Sequence, residues 1–139
     1  MSTINATNIV ADTLVGNTSA NAITVRGEGS ATTSLQQGLS KAWTCMNGTG
    51  TPAINDSLNT ASITDHGTGN FSCNWSNAMG NQNYAMTQMG GSNNTVNPGA
   101  CHSHNNLGDT TSFKFFSKKF DGAVVDMHFI GMVAHGDLA

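Results

Sequence analysis

The sharpest constraint in this sequence is where its aromatic residues begin: every Trp, Tyr and Phe lies at or beyond Trp43. A monomeric core needs bulky apolar side chains to offset the entropy of ordering a chain, so residues 1–38 cannot build one alone. This segment carries β-branched pieces at 4–10 and 22–25, separated by Gly, Asn, Ser and Thr clusters. Its apolar side chains, among them Ile4, Ile9, Leu14, Val15, Ile23 and Val25, are stranded in water unless neighbouring chains or a larger particle cover them. The reading is an extended N-terminal arm over residues 1–38, ordered by assembly, and a compact head over 39–139. Residues 34–42 form the neck, where Gly38 limits any helix to about a turn.

In the head, strand-like pieces alternate with turns. The spacing predicts strands at 41–46, 53–58, 62–64, 70–76, 83–89, 99–104, 112–120 and 124–135. Between them lie turn-forming runs such as Asn47-Gly48-Thr49-Gly50, His66-Gly67-Thr68-Gly69 and Asp121-Gly122. Short strands at such regular spacing predict an all-β fold, an antiparallel β-sandwich of jelly-roll-like character. Period-two alternation places Phe71, Cys73 and Trp75 on one side of their strand, and Trp43 with Cys45 on one side of theirs, all as core candidates. In the last strand Met127, Phe129, Gly131 and Val133 alternate with His128, Ile130, Met132 and Ala134, so both faces are largely apolar. The expectation is that one of those faces meets another subunit.

Only 9% of residues are charged, against roughly 25% in ordinary globular proteins. The one basic run, Lys118-Lys119, is expected to face solvent, and nucleic acid is not an expected partner, since gripping phosphates takes clustered Lys and Arg. No apolar stretch approaches the ~20 residues of a membrane span, and the opening residues lack the basic-then-apolar order of a secretion signal, so membrane insertion is not expected. Cys45, Cys73 and Cys101 form an odd set without metal-finger spacing and read as small, buried, reduced thiols.

Several stretches together carry a family resemblance. They are Leu39-Ser40-Lys41-Ala42-Trp43, then Asn47-Gly48-Thr49-Gly50-Thr51-Pro52-Ala53-Ile54-Asn55-Asp56-Ser57-Leu58-Asn59, then Ser62-Ile63-Thr64-Asp65-His66-Gly67-Thr68-Gly69-Asn70-Phe71, and more loosely Asn83-Tyr84-Ala85-Met86 and Met132-Val133-Ala134-His135-Gly136-Asp137-Leu138-Ala139. In these the chain resembles a module of phage tail-fibre and other virion proteins, of the marine and cyanophage type. The opening Ser2-Thr3-Ile4-Asn5-Ala6-Thr7-Asn8-Ile9 is similar to the N-termini of small phage fibre proteins. The resemblance implies a β-sandwich head, a homotrimer, an arm that joins other virion proteins, and contact with the host surface. The sequence departs from that pattern at Cys101-His102-Ser103-His104 and in its number of Met residues.

His102 and His104 would share a face on a strand, and three copies around a trimer axis would bring together imidazoles suited to octahedral transition-metal coordination. The alternative is a pair of hydrogen-bonded loop histidines. No nucleophile elbow or paired-carboxylate motif is present, and the chain reads as a non-enzyme. Trp43, Trp75 and Tyr84 could stack on sugars or fill the core, and their phase favours the core. If host-surface glycans are bound, the loops with Asn93, Asn94, Asn105 and Asn106 offer amide donors and acceptors, against the alternative of solvated turns. The expected function is a structural virion protein on the phage tail or capsid surface: a short tail-fibre or spike subunit, alternatively a capsid-decorating fibre or a free lectin-like module.

Overall fold

The computed structural model describes residues 11–15, 23–26, 30–91, 99–103 and 109–139, with 99–103 as backbone only. By internal packing the chain divides into Met1–Gln36 and Gln37–Ala139.

In the first unit, β1 (Thr24–Arg26) pairs antiparallel with β2 (Thr32–Ser34), and Leu35 N donates to Ile23 O. Leu14, Val15 and Val25 are 59%, 77% and 48% exposed, so these apolar side chains find little cover among the described residues. The chain then makes one helical turn, α1 (Leu35–Gly38), within the stretch read as a neck.

The second unit is all-β and antiparallel, a β-sandwich. Its strands are β3 (Ala42–Asn47), β4 (Ala53–Leu58), β5 (Thr60–Asp65), β6 (Asn70–Trp75), β7 (Ala85–Gly91), β8 (Gly99–Ser103), β9 (Ser112–Lys119) and β10 (Phe129–His135). They form one sheet in the order β4-β3-β10-β7-β8-β9-β6-β5. Strands β7, β8 and β9 follow one another as a meander, and β10 returns to lie beside β7, which is the Greek-key connection. The two edge strands, β4 and β5, are joined through the single residue Asn59, whose φ of 57° lets the chain turn a corner. The sheet therefore folds back on itself, and Thr44 and Thr60 bridge the corner with hydroxyl oxygens 2.6 Å apart. Register shifts at Cys45/Met46 and Thr60/Ser62 interrupt the two edge pairings, a common protection against edge-to-edge association.

The core lies between the β4-β3-β10-β7 half and the β8-β9-β6-β5 half. Phe71, Cys73 and Trp75 of β6 and Phe113 and Phe115 of β9 face Ala42 and Met46 of β3 and Ile130, Met132 and Ala134 of β10. The Phe71 and Phe115 rings sit 5.8 Å apart, and Cys73 Sγ reaches Met132 Sδ at 4.0 Å across the layers. Each Phe, Ile or Met among them contributes about 1.5–3 kcal/mol through burial.

Two expectations are corrected. Trp43 and Cys45 do share a face, but it is the outer one: Ala42, Thr44 and Met46 point inward, and Trp43 and Cys45 are only half-buried. The aromatic rings of β6 and β9 already fill the interior opposite β3, which leaves room there for small or slender side chains. The strand expected over 124–135 begins only at Phe129. Before it, Ser117 Oγ donates to Val125 O and Val125 N donates to Ser117 O, Gly48 N donates to Met127 O, and Met127 turns into the core while Phe129 faces out. The alternation that linked Met127 to Phe129 is broken by this irregular entry.

Candidate functional site

Antiparallel register fixes which residues stand side by side on the outer surface of the first half. Leu58, Trp43, Val133 and Thr87 form one row across β4, β3, β10 and β7. Asp56, Cys45, Gly131 and Met89 form the next. Phe129, opposite Gly91, follows. The face is apolar yet solvent-exposed: Leu58 is 46% exposed, Phe129 41% and Met89 60%.

The relief of this face comes from side-chain size. Gly131 carries no side chain, and a Cβ there would meet Met89 Cγ at 3.1 Å and the Phe129 ring at 3.5 Å, so those two neighbours lean over its place. With Trp43 on the adjacent strand and Val133 on the floor, Met89 bounds an open groove of about 240 Å³. Its lining is almost wholly apolar, so it suits another apolar side chain and offers nothing to an anion or metal. Asp56 is the one charged residue in these rows, and its carboxylate is engaged by Ser57 N at 2.8 Å.

The outer surface of the other half differs in kind. Its rows are Ser62–Asn74–Ser112 and Thr64–Ser72–Lys114 across β5, β6 and β9, followed by Asn70–Phe116. Asn74 Nδ2 donates to Ser62 Oγ at 3.0 Å and to Thr64 Oγ1 at 2.9 Å, and His66 Nε2 lies 2.9 Å from Ser72 Oγ. Lys118 Nζ stands over the Phe116 ring, 5.3 Å from its centroid. One half thus shows water an apolar face and the other a polar one.

Of the residues singled out from the sequence, Asn93, Asn94, His104, Asn105 and Asn106 lie outside the described residues. His102 is placed by backbone alone, paired with Phe116 in the β8–β9 ladder. Among the described residues no group of three or more metal-ligating side chains comes together. No helix among them is long and apolar enough to cross a membrane. Trp75 and Tyr84 belong to the core and its margin, with rings 6.4 Å apart in an edge contact. The Tyr84 hydroxyl donates to Asp109 O at 3.0 Å and Ser112 O at 3.2 Å. Burial raises its pKa above the usual phenol value, and the Asp109 carboxylate adds to the rise. Of the three aromatic residues considered for sugar stacking, Trp75 is buried, Tyr84 is half-buried at the margin of the core, and Trp43 lies half-buried on the outer face of β3. Sequence reasoning found the doubly apolar nature of β10 but missed that Trp43 and Leu58 extend the same face, because both lie on strands far from β10 in the chain.

No protein-family model matches the chain, and no curated protein and no solved structure matches it.

Proposed function

We propose that the chain is a non-enzymatic structural subunit of a phage particle, a short tail fibre or spike. Its head assembles as a homotrimer through the outer face of β4-β3-β10-β7, and its arm joins other virion proteins. The observation that carries the reading is the exposed apolar face of Leu58, Trp43, Val133, Met89 and Phe129. A continuous surface of this kind is uncommon on a monomer and is the usual mark of an interface. A second copy is the fitting occupant because symmetry brings like residues near one another, and a face with one charged residue in its rows meets no repulsion when it is repeated.

The exposed Leu14, Val15 and Val25 of the first unit support the arm role, since these side chains also need cover from outside the chain. The β10 pattern, apolar inward and outward, supports the trimer in the same way. Light scattering on the recombinant chain is the test: three times the chain mass is the expected result, and a monomer at micromolar concentration would remove the assembly on which the reading depends. Deleting residues 1–36 is expected to leave the head assembled while abolishing incorporation into particles.

A further inference from the structure

We propose that the outer face of β5, β6 and β9 binds an acidic polysaccharide, with Lys114 and Lys118 holding its anionic groups. Three of the chain's five basic residues, Lys114, Lys118 and Lys119, lie on β9. Lys114 and Lys118 are four residues apart on one face of the strand, which separates their stems by about 13 Å at strand rise. That span suits anionic groups repeated along a chain better than a single small anion.

The charges are available. Among the described residues neither Lys114 nor Lys118 has an ion-pair partner. Three carboxylates of the head accept from backbone: Asp65 takes Gly67 N at 2.8 Å, Asp121 takes Ala123 N at 2.9 Å, and Asp126 takes Gly69 N at 2.6 Å. Phe116 supports Lys118 from below, and this contact steadies a side chain that would otherwise sample many rotamers.

The neutral groups agree in sense. Ser62 Oγ and Thr64 Oγ1 both accept from Asn74 Nδ2, which leaves their own hydroxyl hydrogens to donate elsewhere. Both residues are exposed. Two ammonium groups and two exposed hydroxyls make a surface rich in donors, complementary to carboxylate and ring-hydroxyl oxygens. Nucleic acid is the less suited polyanion, because the rows described on this face offer no run of open aromatic rings for bases. The inference adds a ligand class to the appendage reading and does not depend on the oligomer.

The test uses the full chain and three probes: polygalacturonate, neutral dextran of similar length, and a single-stranded DNA oligonucleotide. Calorimetry is expected to show binding of polygalacturonate that weakens with added salt, and none of dextran. K114Q/K118Q should lose at least tenfold in affinity with an unchanged melting temperature, while R26Q, which removes a charge from the other unit, should retain binding. Equal loss in R26Q, undiminished binding in the double variant, binding of dextran, or tighter binding of DNA would each overturn the proposal. Light scattering on the same samples separates the two readings, since a trimer that ignores polygalacturonate sinks only this one and a monomer that binds it sinks only the assembly.

Discussion

Asn59 and Asn77 grip one another with both amides: Asn59 Oδ1 accepts from Asn77 N at 2.7 Å and from Asn77 Nδ2 at 3.2 Å, and Asn59 Nδ2 donates to Asn77 O at 3.0 Å. Asn59 is also the residue of positive φ through which the chain passes from β4 to β5. The corner that folds the sheet is thereby fastened to the segment leaving β6. Asn59→Gly keeps the backbone conformation and removes the fastening, so it should cost about 1–2 kcal/mol. Asn59→Ala adds the left-handed penalty of about 1–2 kcal/mol. Urea midpoints for the two variants check the order, and equal midpoints would show that backbone conformation adds nothing.

Gly69 and Gly50 have similar φ, 60° and 66°, but different surroundings. A Cβ at Gly69 would lie 2.6 Å from Val124 Cγ1, 2.7 Å from Val125 O and 2.8 Å from Ser117 O, whereas Gly50 has nothing within 4 Å. Gly50→Ala should therefore cost about 1–2 kcal/mol from conformation alone. Gly69→Ala should cost about 1–3 kcal/mol more from overpacking against backbone that cannot move aside. Thermal melts of both variants decide it, and parity between them would refute the steric account.

The Tyr84 phenol makes stability depend on alkaline pH. Its folded pKa is raised above the usual 10.0, so the folded state keeps a proton that the unfolded chain releases. The contribution is fully present below about pH 10 and falls as pH rises through the folded value. Tyr84→Phe should lower stability at neutral pH by about 1 kcal/mol, through the lost hydroxyl bond to Asp109 O and Ser112 O, and flatten the decline above pH 10. Denaturation midpoints from about pH 8 to about pH 11.5, which bracket the ordinary phenol value, read this directly.

Leu58 and Phe129 are exposed on the apolar face and take no part in the core. Leu58→Lys with Phe129→Lys should change the stability of the folded head by little more than ~0.5 kcal/mol per site, yet reduce the mass in solution, because a buried interface does not accept unpaired ammonium groups. Cys45, half-buried on the same face, supplies an independent readout. Its thiol should react slowly with a maleimide in the assembled protein and faster in the double variant.

The strands were legible from local chemistry. β4 matches its expected span of 53–58, and β6 and β9 fall within about a residue of theirs, because β-branched and aromatic runs between Gly and Asn turns report backbone preference directly. The inward set Phe71, Cys73 and Trp75 was also legible, since its bulky alternate side chains leave Asn70 and Asn74 for the other side.

For β3 the same reasoning identified the two sets but chose the wrong one as core. Trp43 and Cys45 against Ala42, Thr44 and Met46 is a contrast that hydrophobicity alone does not resolve, and only the packing of Phe71 and Phe115 opposite decides which set fits inside. The amino-acid sequence by itself determined the all-β class, the spans of β4, β6 and β9, and the absence of aromatic side chains from the arm, because these follow from properties of neighbouring residues. The tertiary structure alone decided that β10 lies between β3 and β7, and so that Leu58, Trp43, Val133 and Phe129 share one face while Lys114 stands in a row with Thr64 and Ser72 on the other. Strand order and the choice of inner face are set by long-range packing, which no local pattern of side chains specifies.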